Sequence, residues 1–289
     1  MRFWLSYIAC PTDQLLSLAR HAEDLGFEGI MGPDHAVWWG SEIQSKYPYN
    51  ESGQVWWPAE TPWHDPWVAA ASMAAVTTRL RVGHHIFVLP LRDPVNTAKA
   101  IATTSAIACG RTVLAFGSGW MKEEFDLVGQ QFEKRGRRMD EMLDVMQLLW
   151  SGERVSYKGE FYQLEDVAML PTPAEPVPLI GSGHTDVALR RVGRRCDGWL
   201  GATRFAAGEL ETIIEKINAH RDEAGRLDRP FDIMISVSKK NHERDVIAQV
   251  EASGVTDIIS APWTIVPTEH PASLAGKLVA MDAFAAKLF

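Results

Sequence analysis

The chain has 289 residues and 46% hydrophobic content, so it can bury a large core. It carries 29 lysines and arginines against 37 aspartates and glutamates, a formal net charge of -8. This charge argues against nucleic acid as the main partner, although a local turn can still bind a phosphorylated small molecule. The three cysteines are scattered, which argues against a disulfide framework or a structural zinc site.

The first ten residues have too short an apolar run and too many aromatic side chains for a signal peptide. No stretch approaches the roughly 18 consecutive apolar residues of a membrane span. We therefore expect a soluble, cytoplasmic protein with no membrane partner.

Strand-like and helix-like segments alternate along the chain. The first unit is a strand over Phe3–Ile8 and a helix whose apolar residues recur from Leu15 until Gly26. From Val155 to Val177 the helical period disappears, and we interpret 153–177 as a small hairpin insertion between the fourth and fifth strands. Further strands are predicted at Gly29–Gly32, Leu80–Val88, Thr112–Phe116, near Leu179, near Trp199, and at Asp232–Val237 and Asp257–Ser260. Further helices are predicted at about 66–76, 94–108, 120–150 (in two pieces), 186–195, 208–224, 244–252 and 272–288.

This count of eight strands, each followed by a helix, predicts an α/β fold of the TIM (β/α)8 barrel type in a single domain over 1–289. An open doubly wound sheet is the alternative. It lacks its main signature, because the first predicted strand is followed by Cys10-Pro11-Thr12-Asp13 and not by a Gly-x-Gly-x-x-Gly turn. In a barrel, residues after all eight strands converge at one mouth.

Two apolar runs end in the same small-residue turn, Gly117-Ser118-Gly119 and Gly181-Ser182-Gly183. Such turns after buried parallel strands expose backbone N–H groups that can hold an anion. Each copy alone is equally explained as a tight turn that needs small residues. Two copies in one repeating series favour a site for a phosphorylated ligand.

The second predicted strand is followed by Asp34-His35 and then by a long loop over about 36–64 that contains five tryptophans. Long loops in compact domains tend to be lids or binding loops, although these rings could instead pack the loop onto the barrel or onto a second subunit. His35 is the candidate for proton transfer, since imidazole titrates near neutrality.

An alternative function is that of a metal-dependent barrel hydrolase, with His35, His64 and either His84 or His85 as the metal ligands. Hydrolases of this kind usually carry a His-x-His pair on the first strand, and Phe3–Ile8 holds no histidine. We therefore predict no metal.

Motifs spread over nearly the whole chain resemble the luciferase-like monooxygenase superfamily, and most resemble its compact bacterial branch that depends on the deazaflavin coenzyme F420. The motifs are Asp34-His35, Leu89 to Pro94, Gly117 to Phe125, Arg135 to Glu141, Leu149 to Gly152, Tyr157 to Tyr162, Gly181 to His184, Leu189 to Arg191 and Asp197 to Trp199.

The resemblance implies a flavin-like ring at the carboxyl-terminal mouth of the barrel. Behind the ring it implies a bulge with a cis non-prolyl peptide bond near Ile86-Phe87, and it implies a homodimer. His35 matches the histidine of deazaflavin-dependent sugar-phosphate and alcohol dehydrogenases, and Trp39 matches a tryptophan of the sugar-phosphate enzymes. Carried over by position, the cofactor-binding residues are Ile86, Phe87, Ser118, Gly119, Gly181, Ser182, Gly183 and His184.

One departure from the sugar-phosphate dehydrogenases is Trp120, which stands where those enzymes have an acidic glutamate. This change favours a bulkier and less polar small-molecule substrate. Arg204 and Trp263-Thr264 follow late strands and could contact substrate or the coenzyme's tail, although surface salt bridging and core packing explain them equally well. The predicted substrate residues are Trp38, Trp39, Trp57, Trp120 and Trp263.

The resemblance predicts an oxidoreductase that transfers a hydride between F420 and an apolar or aromatic molecule, with His35 as the proton donor or acceptor. The first alternative is a monooxygenase that takes reduced FMN from a separate reductase and reacts with O2. A second is a catalytically silent flavin-binding relative.

Overall fold

A computed structural model describes residues 1–40, 43–48, 50–201, 205, 208–237 and 243–289. The strands are β1 (Arg2–Ser6), β2 (Gly29–Gly32), β3 (Arg81–His84), β4 (Phe87–Val88), β5 (Leu114–Gly117), β6 (Val155–Lys158), β7 (Gln163–Val167), β8 (Leu179–Ser182), β9 (Gly198–Leu200), β10 (Asp232–Ser236) and β11 (Asp257–Ser260). The α-helices are α1 (Leu15–Leu25), α2 (Pro66–Ala74), α3 (Pro94–Ile107), α4 (Lys122–Leu127), α5 (Arg135–Leu149), α6 (Asp186–Arg195), α7 (Glu209–Glu223), α8 (Arg244–Ala252) and α9 (Leu274–Leu288).

Nine of these strands form one parallel sheet in the order β3-β2-β1-β11-β10-β9-β8-β5-β4. β3 and β4 occupy one barrel position, because β3 pairs with β2 and β4 pairs with β5. A bridge between Val82 and Thr112 joins the two ends of the sheet. The sheet is therefore an eight-position α/β barrel, which confirms the predicted fold class.

The predicted strand Leu80–Val88 is wrong in one respect, since the structure divides it at His85 and Ile86. A cis peptide bond joins these two residues, one position before the predicted bond at Ile86-Phe87. The apolar sequence pattern continues across the break, so the pattern alone gives no sign of it.

The core has two layers. Inside the barrel, eight buried side chains form a compact cluster, which is Trp4, Met31, Val113, Ala115, Ile180, Leu200, Met234 and Ile259. A larger cluster lies between the sheet and the surrounding helices. Because side chains alternate along a strand, each barrel strand contributes to both layers.

Capping residues set the start of two helices that follow the site. Asp65 accepts hydrogen bonds from the N–H groups of Trp67 and Val68 at the start of α2. Asp93 caps α3 in the same way, and both caps are followed by a proline at the first helical position.

The insertion between β5 and β8 contains the antiparallel hairpin β6–β7. Its turn is held to α5 by Glu141, whose carboxylate accepts hydrogen bonds from the N–H groups of Glu160 and Phe161 at 2.7 and 2.9 Å. This insertion lies where the predicted fold places it.

His84 is buried in the outer layer without a polar partner. Its ring lies 4.4 Å, centroid to centroid, from that of Trp67, and neither ring nitrogen has a hydrogen-bond partner among the described residues. Burial lowers the pKa of His84 from 6.5 to about 3. The unfolded chain therefore binds a proton that the folded chain does not, and the free energy of unfolding falls as the pH falls through this window.

We expect His84→Phe to remove this contribution to the pH dependence. Between pH 6.5 and about pH 4, the loss of unfolding free energy should be smaller than in the wild type by about 1–3 kcal/mol, measured by urea denaturation at each pH. His270→Gln, at an exposed histidine, is the control and should keep the wild-type slope. An unchanged slope in His84→Phe would contradict this assignment.

Candidate active site

A cavity of about 400 Å³ lies at the carboxyl ends of the barrel strands. Every barrel position contributes to it, as expected for the functional face of this fold. Its size falls within the range of small-molecule sites. The lining residues are Ser6, Ile8, Pro33, Asp34, His35, Tyr47, Trp56, Trp57, Trp63, His85, Ile86, Val88, Gly119, Trp120, Met121, Glu124, Phe125, Ser182, Gly183, His184, Leu200, Gly201, Ser236, Val237, Ile259, Ser260, Ala261 and Thr264.

His35 lies in the wall of this cavity and is held by a buried carboxylate. Its Nδ1 is 3.1 Å from Glu124 Oε2, and the other carboxylate oxygen of Glu124 accepts a hydrogen bond of 2.6 Å from the Ala36 N–H. The Glu124 side chain is 3% exposed. The contact to Nδ1 leaves Nε2 as the ring nitrogen of His35 that can exchange a proton.

Aromatic side chains surround His35 on three sides. Its ring centroid lies 4.8 Å from that of Trp57, 4.9 Å from that of Trp63 and 6.1 Å from that of Trp120. Tyr47 packs edge-on against both Trp57 and Trp120, at 5.4 Å in each case. These rings form apolar walls next to the imidazole.

Asp34 fixes the backbone beside His35. Its carboxylate pairs with both terminal nitrogens of Arg92, at 2.6 and 2.8 Å, and accepts a hydrogen bond of 2.8 Å from the Val88 N–H. Burial raises the pKa of Asp34, and the Arg92 guanidinium opposes this shift. Asp34 therefore joins the end of β2 to β4 and to Arg92, shortly before α3, which is a structural role.

The predicted cofactor residues after the third strand separate in the structure. Ile86 lines the cavity, whereas Phe87 is fully buried in the outer layer, 5.6 Å from the ring of Trp67. The side chains alternate beyond the break, so only one of the two neighbours can point to the mouth. The structure does not place Phe87 at the site.

The first Gly-Ser-Gly turn reaches the cavity through Gly119, while Ser118 is half-buried and does not line it. Gly117 allows close packing here. A Cβ at this position would lie 2.4 Å from Ile86 Cδ1 and 2.6 Å from Ser182 Oγ. The absence of a side chain therefore lets Ile86 and Ser182 meet at the rim.

The second turn contributes Ser182, Gly183 and His184 to the cavity. Gly181 does not line it, because it packs β8 against α6, where a Cβ would lie 2.7 Å from Val192 Cγ2. The Gly183 carbonyl accepts a hydrogen bond of 3.0 Å from Trp199 Nε1 in the barrel wall. Since N–H and C=O point in opposite directions across a trans peptide, the His184 N–H is directed away from that wall.

Helix α6 begins directly after this turn. Thr185 caps it and accepts a hydrogen bond from the Ala188 N–H, and Asp186 is its first residue, as predicted. The N–H groups of a first helical turn lack partners within the helix and favour anions. Among the described residues that line the cavity, none is a lysine or an arginine.

The predicted substrate tryptophans are only partly in the cavity. Trp57 and Trp120 line it, whereas the other three lie outside it among the described residues. Trp38 is 40% exposed and donates from Nε1 to the Trp57 carbonyl. Trp39 is half-buried in the loop, and Trp263 packs against the main core near Lys277.

Several predictions fall on segments that the structure leaves out. Arg204 lies outside the described residues, and so do three positions of the predicted loop 36–64, which are Ser41, Glu42 and Tyr49.

Sequence reasoning missed several residues of the site. Glu124 looks like an ordinary exposed carboxylate on a short helix, and only its position in the Gly117 to Phe125 motif could have drawn attention to it. Tyr47, Trp56 and Trp63 lie within the aromatic loop, whose richness in rings was the available signal. His85 was considered only as a metal ligand.

The histidines of the metal alternative do not converge. His84 points into the outer layer, and His64, whose Nε2 lies 3.1 Å from Thr12 Oγ1, does not line the cavity. Within the described part of the chain, no three His, Cys, Asp or Glu side chains form a group that could hold a metal ion.

Among the described residues, no helix is both long and apolar enough to cross a bilayer.

A family model described as luciferase-like monooxygenase matches residues 4–283. The chain therefore belongs to the luciferase-like monooxygenase family and is an oxidoreductase, as the sequence motifs predicted.

Two relatives illustrate its place in the family. The chain is 34% identical over 279 residues to an uncharacterised protein of Mycobacterium tuberculosis, covering 94% of this chain and 93% of the relative. It is 27% identical over 243 residues to an F420-dependent glucose-6-phosphate dehydrogenase of Amycolatopsis mediterranei, covering 81% of this chain and 67% of the relative.

Three solved structures share the fold. Monooxygenase RslO1 of Streptomyces bottropensis has a TM-score of 0.80 and 17% identity, covering 100% of this chain and 98% of that one. The F420-dependent tetrahydromethanopterin reductase of Methanopyrus kandleri has a TM-score of 0.76 and 16% identity, covering 99% of this chain and 98% of that one. The oxygenating constituent of 3,6-diketocamphane monooxygenase of Pseudomonas putida, in complex with FMN, has a TM-score of 0.72 and 15% identity, covering 100% of this chain and 98% of that one. The family and these proteins support a deazaflavin or a flavin as the cofactor.

We expect Asp34→Asn to lower the free energy of unfolding by about 3–5 kcal/mol, because it leaves the Arg92 guanidinium without its buried partner. Chemical denaturation measures this change. The control is Asp126→Asn, which breaks the exposed pair with Lys122 and should leave stability nearly unchanged. Equal small effects of the two substitutions would show that Asp34 does not hold this part of the barrel.

Proposed function

We propose that this chain transfers a hydride between the deazaflavin coenzyme F420 and an apolar or aromatic small molecule. His35 donates or accepts the accompanying proton. The observation that carries the proposal is the His35 imidazole, held at Nδ1 by buried Glu124 and surrounded by aromatic rings inside a cavity of about 400 Å³ at the mouth of a luciferase-like barrel.

The residues present fit such a cofactor. One side of the cavity has apolar walls from Trp57, Trp63 and Ile86, which suit a flat heterocyclic ring. Another side has Gly183 and His184 directly before the first turn of α6, which suits a phosphate on the cofactor's tail. This arrangement of an apolar wall next to an anion site matches a phosphorylated tricyclic ligand.

The bound deazaflavin supplies the hydride chemistry. The chain's own residues orient the ring and the substrate, exclude water with the tryptophan walls, and move one proton at His35 Nε2. Glu124 holds the imidazole in place through Nδ1 and is a positioning residue. Orientation and exclusion of water account for most of what a protein adds to such a reaction.

The wall favours an apolar or aromatic substrate over a sugar phosphate. Trp120 lies beside His35, where a carboxylate would be suited to a polar substrate. The described cavity residues also include no lysine or arginine for a substrate phosphate. The activity named for the Amycolatopsis relative is therefore not the one we propose for this chain.

The first test is a binding titration that follows tryptophan fluorescence. We expect F420 to bind with at least micromolar affinity and FMN to bind more weakly, because the proposed function assigns the cavity to the deazaflavin. Tighter binding of FMN, together with oxygen consumption during turnover, would contradict the proposal and support a flavin monooxygenase. Failure of both ligands to bind would contradict both the F420-dependent function and the flavin monooxygenase function.

The second test replaces His35. With F420 and a panel of apolar and aromatic substrates, His35→Gln should lower kcat/KM by about 10²–10⁴-fold, since a positioned acid or base contributes this much. The Kd for F420 should change little, because His35 acts on the proton. The matched control is His64→Gln, at a histidine that does not line the cavity and lies in hydrogen-bond contact with Thr12; it should keep wild-type turnover. Wild-type turnover in His35→Gln would exclude the proposed role.

A further inference from the structure

A polar layer lies on the floor of the cavity, directly above the apolar interior of the barrel. Trp4 belongs to the interior cluster, and Ser6 follows it two residues later on the same face of β1. Gly83 faces the interior too, since a Cβ there would contact Met31 and Val113, so His85 points to the same side. Both Ser6 and His85 line the cavity.

A hydrogen bond joins Ser6 and His85, and the Ser6 hydroxyl also accepts from a backbone N–H. Ser6 Oγ lies 2.8 Å from His85 Nε2 and also accepts a hydrogen bond of 3.3 Å from the Ile8 N–H. The serine hydroxyl has one hydrogen and two lone pairs, so it can donate to Nε2 while it accepts from Ile8. In this arrangement the ring proton of a neutral His85 resides on Nδ1.

Burial lowers the pKa of His85 from 6.5 to about 4, so the ring carries a single proton at neutral pH. Among the described residues, no group forms a hydrogen bond with Nδ1, and this atom is not among the buried nitrogens without a partner. Nδ1 is therefore accessible from the cavity that the residue lines. With the Ser6 hydrogen donated to Nε2, the floor of the site presents one oriented N–H donor at Nδ1.

We propose that His85, oriented by Ser6, is a cofactor-positioning residue that donates a hydrogen bond from Nδ1 to the heterocyclic ring of the bound deazaflavin or flavin. Such rings carry carbonyl oxygens and ring nitrogens that accept hydrogen bonds, whereas the faces of the tryptophan rings offer apolar contact. This inference rests on the proposed function, because the ligand is the same cofactor. It is independent of the proton transfer assigned to His35.

The experiment compares binding of F420 and, separately, of FMN by calorimetry and by the absorption difference spectrum of the bound ring. His85→Phe keeps a ring but loses the donor, so we expect its Kd to rise about tenfold or more and its difference spectrum to change. His85→Gln retains an N–H donor and should recover part of the affinity. Ser6→Ala frees Nε2 and should give an intermediate loss.

The matched control is His84→Phe, the same substitution at the preceding residue, whose ring points into the outer layer. It should bind both ligands as the wild type does. Wild-type affinity and spectrum in His85→Phe would overturn this inference alone. Absence of binding by the wild-type chain would instead overturn the proposed function, and this inference with it.

A measurement without ligand tests the same geometry. In ¹⁵N-labelled histidine NMR of the wild-type chain, with Ser6→Ala used to assign the signal, the proton of His85 should reside on Nδ1. A proton on Nε2 would overturn the inference, because Nδ1 could then donate nothing to the cofactor.

Discussion

The buried carboxylate of Glu124 is the contact on which the site depends. It comes from α4, after β5, and it binds His35 and the Ala36 N–H after β2. These segments are nearly ninety residues apart in the sequence, and only closure of the barrel brings them together. A carboxylate buried among aromatic rings is costly unless donors surround it, so this pairing holds the loop and the imidazole in one arrangement.

A second carboxylate completes this frame. Asp34 binds Arg92 and the Val88 N–H, while Glu124 binds the following two residues. The segment 34–36 is thereby attached to two neighbouring parts of the barrel. The aromatic rings of the loop then pack around an imidazole whose position is already set. The rigidity needed for hydride and proton transfer thus comes from two buried carboxylates, and the apolar character of the site comes from the tryptophans.

The sequence predicts the barrel well and the site only partly, for physical reasons. The alternation of apolar runs and helical periods identifies every barrel position, because each strand must bury both faces. It cannot locate the break at His85-Ile86, where the apolar pattern continues without interruption. Since one residue decides which face a side chain occupies, the pattern does not show that Phe87 lies in the outer layer or that Gly181 packs against α6.

The position of His35 after a strand predicts that it lies at the mouth of the barrel, and the five tryptophans in the loop after it predict a binding loop. Glu124 and the Ser6–His85 pair could not be predicted in this way, because their importance lies in contacts across the barrel. Trp263 also follows a strand, yet it lies in a short helical turn, half-buried against the main core and not in the cavity lining. Position after a strand thus identifies candidates, and only the packing decides among them.

The most direct test of the account is a crystal structure of the chain with F420 bound. We expect the ring system in the cavity between the tryptophan walls and Ile86, with its reactive edge next to His35 Nε2 and its phosphate at Gly183 and the start of α6. A ring bound elsewhere on the surface, or a phosphate on the opposite side of the barrel mouth, would contradict it.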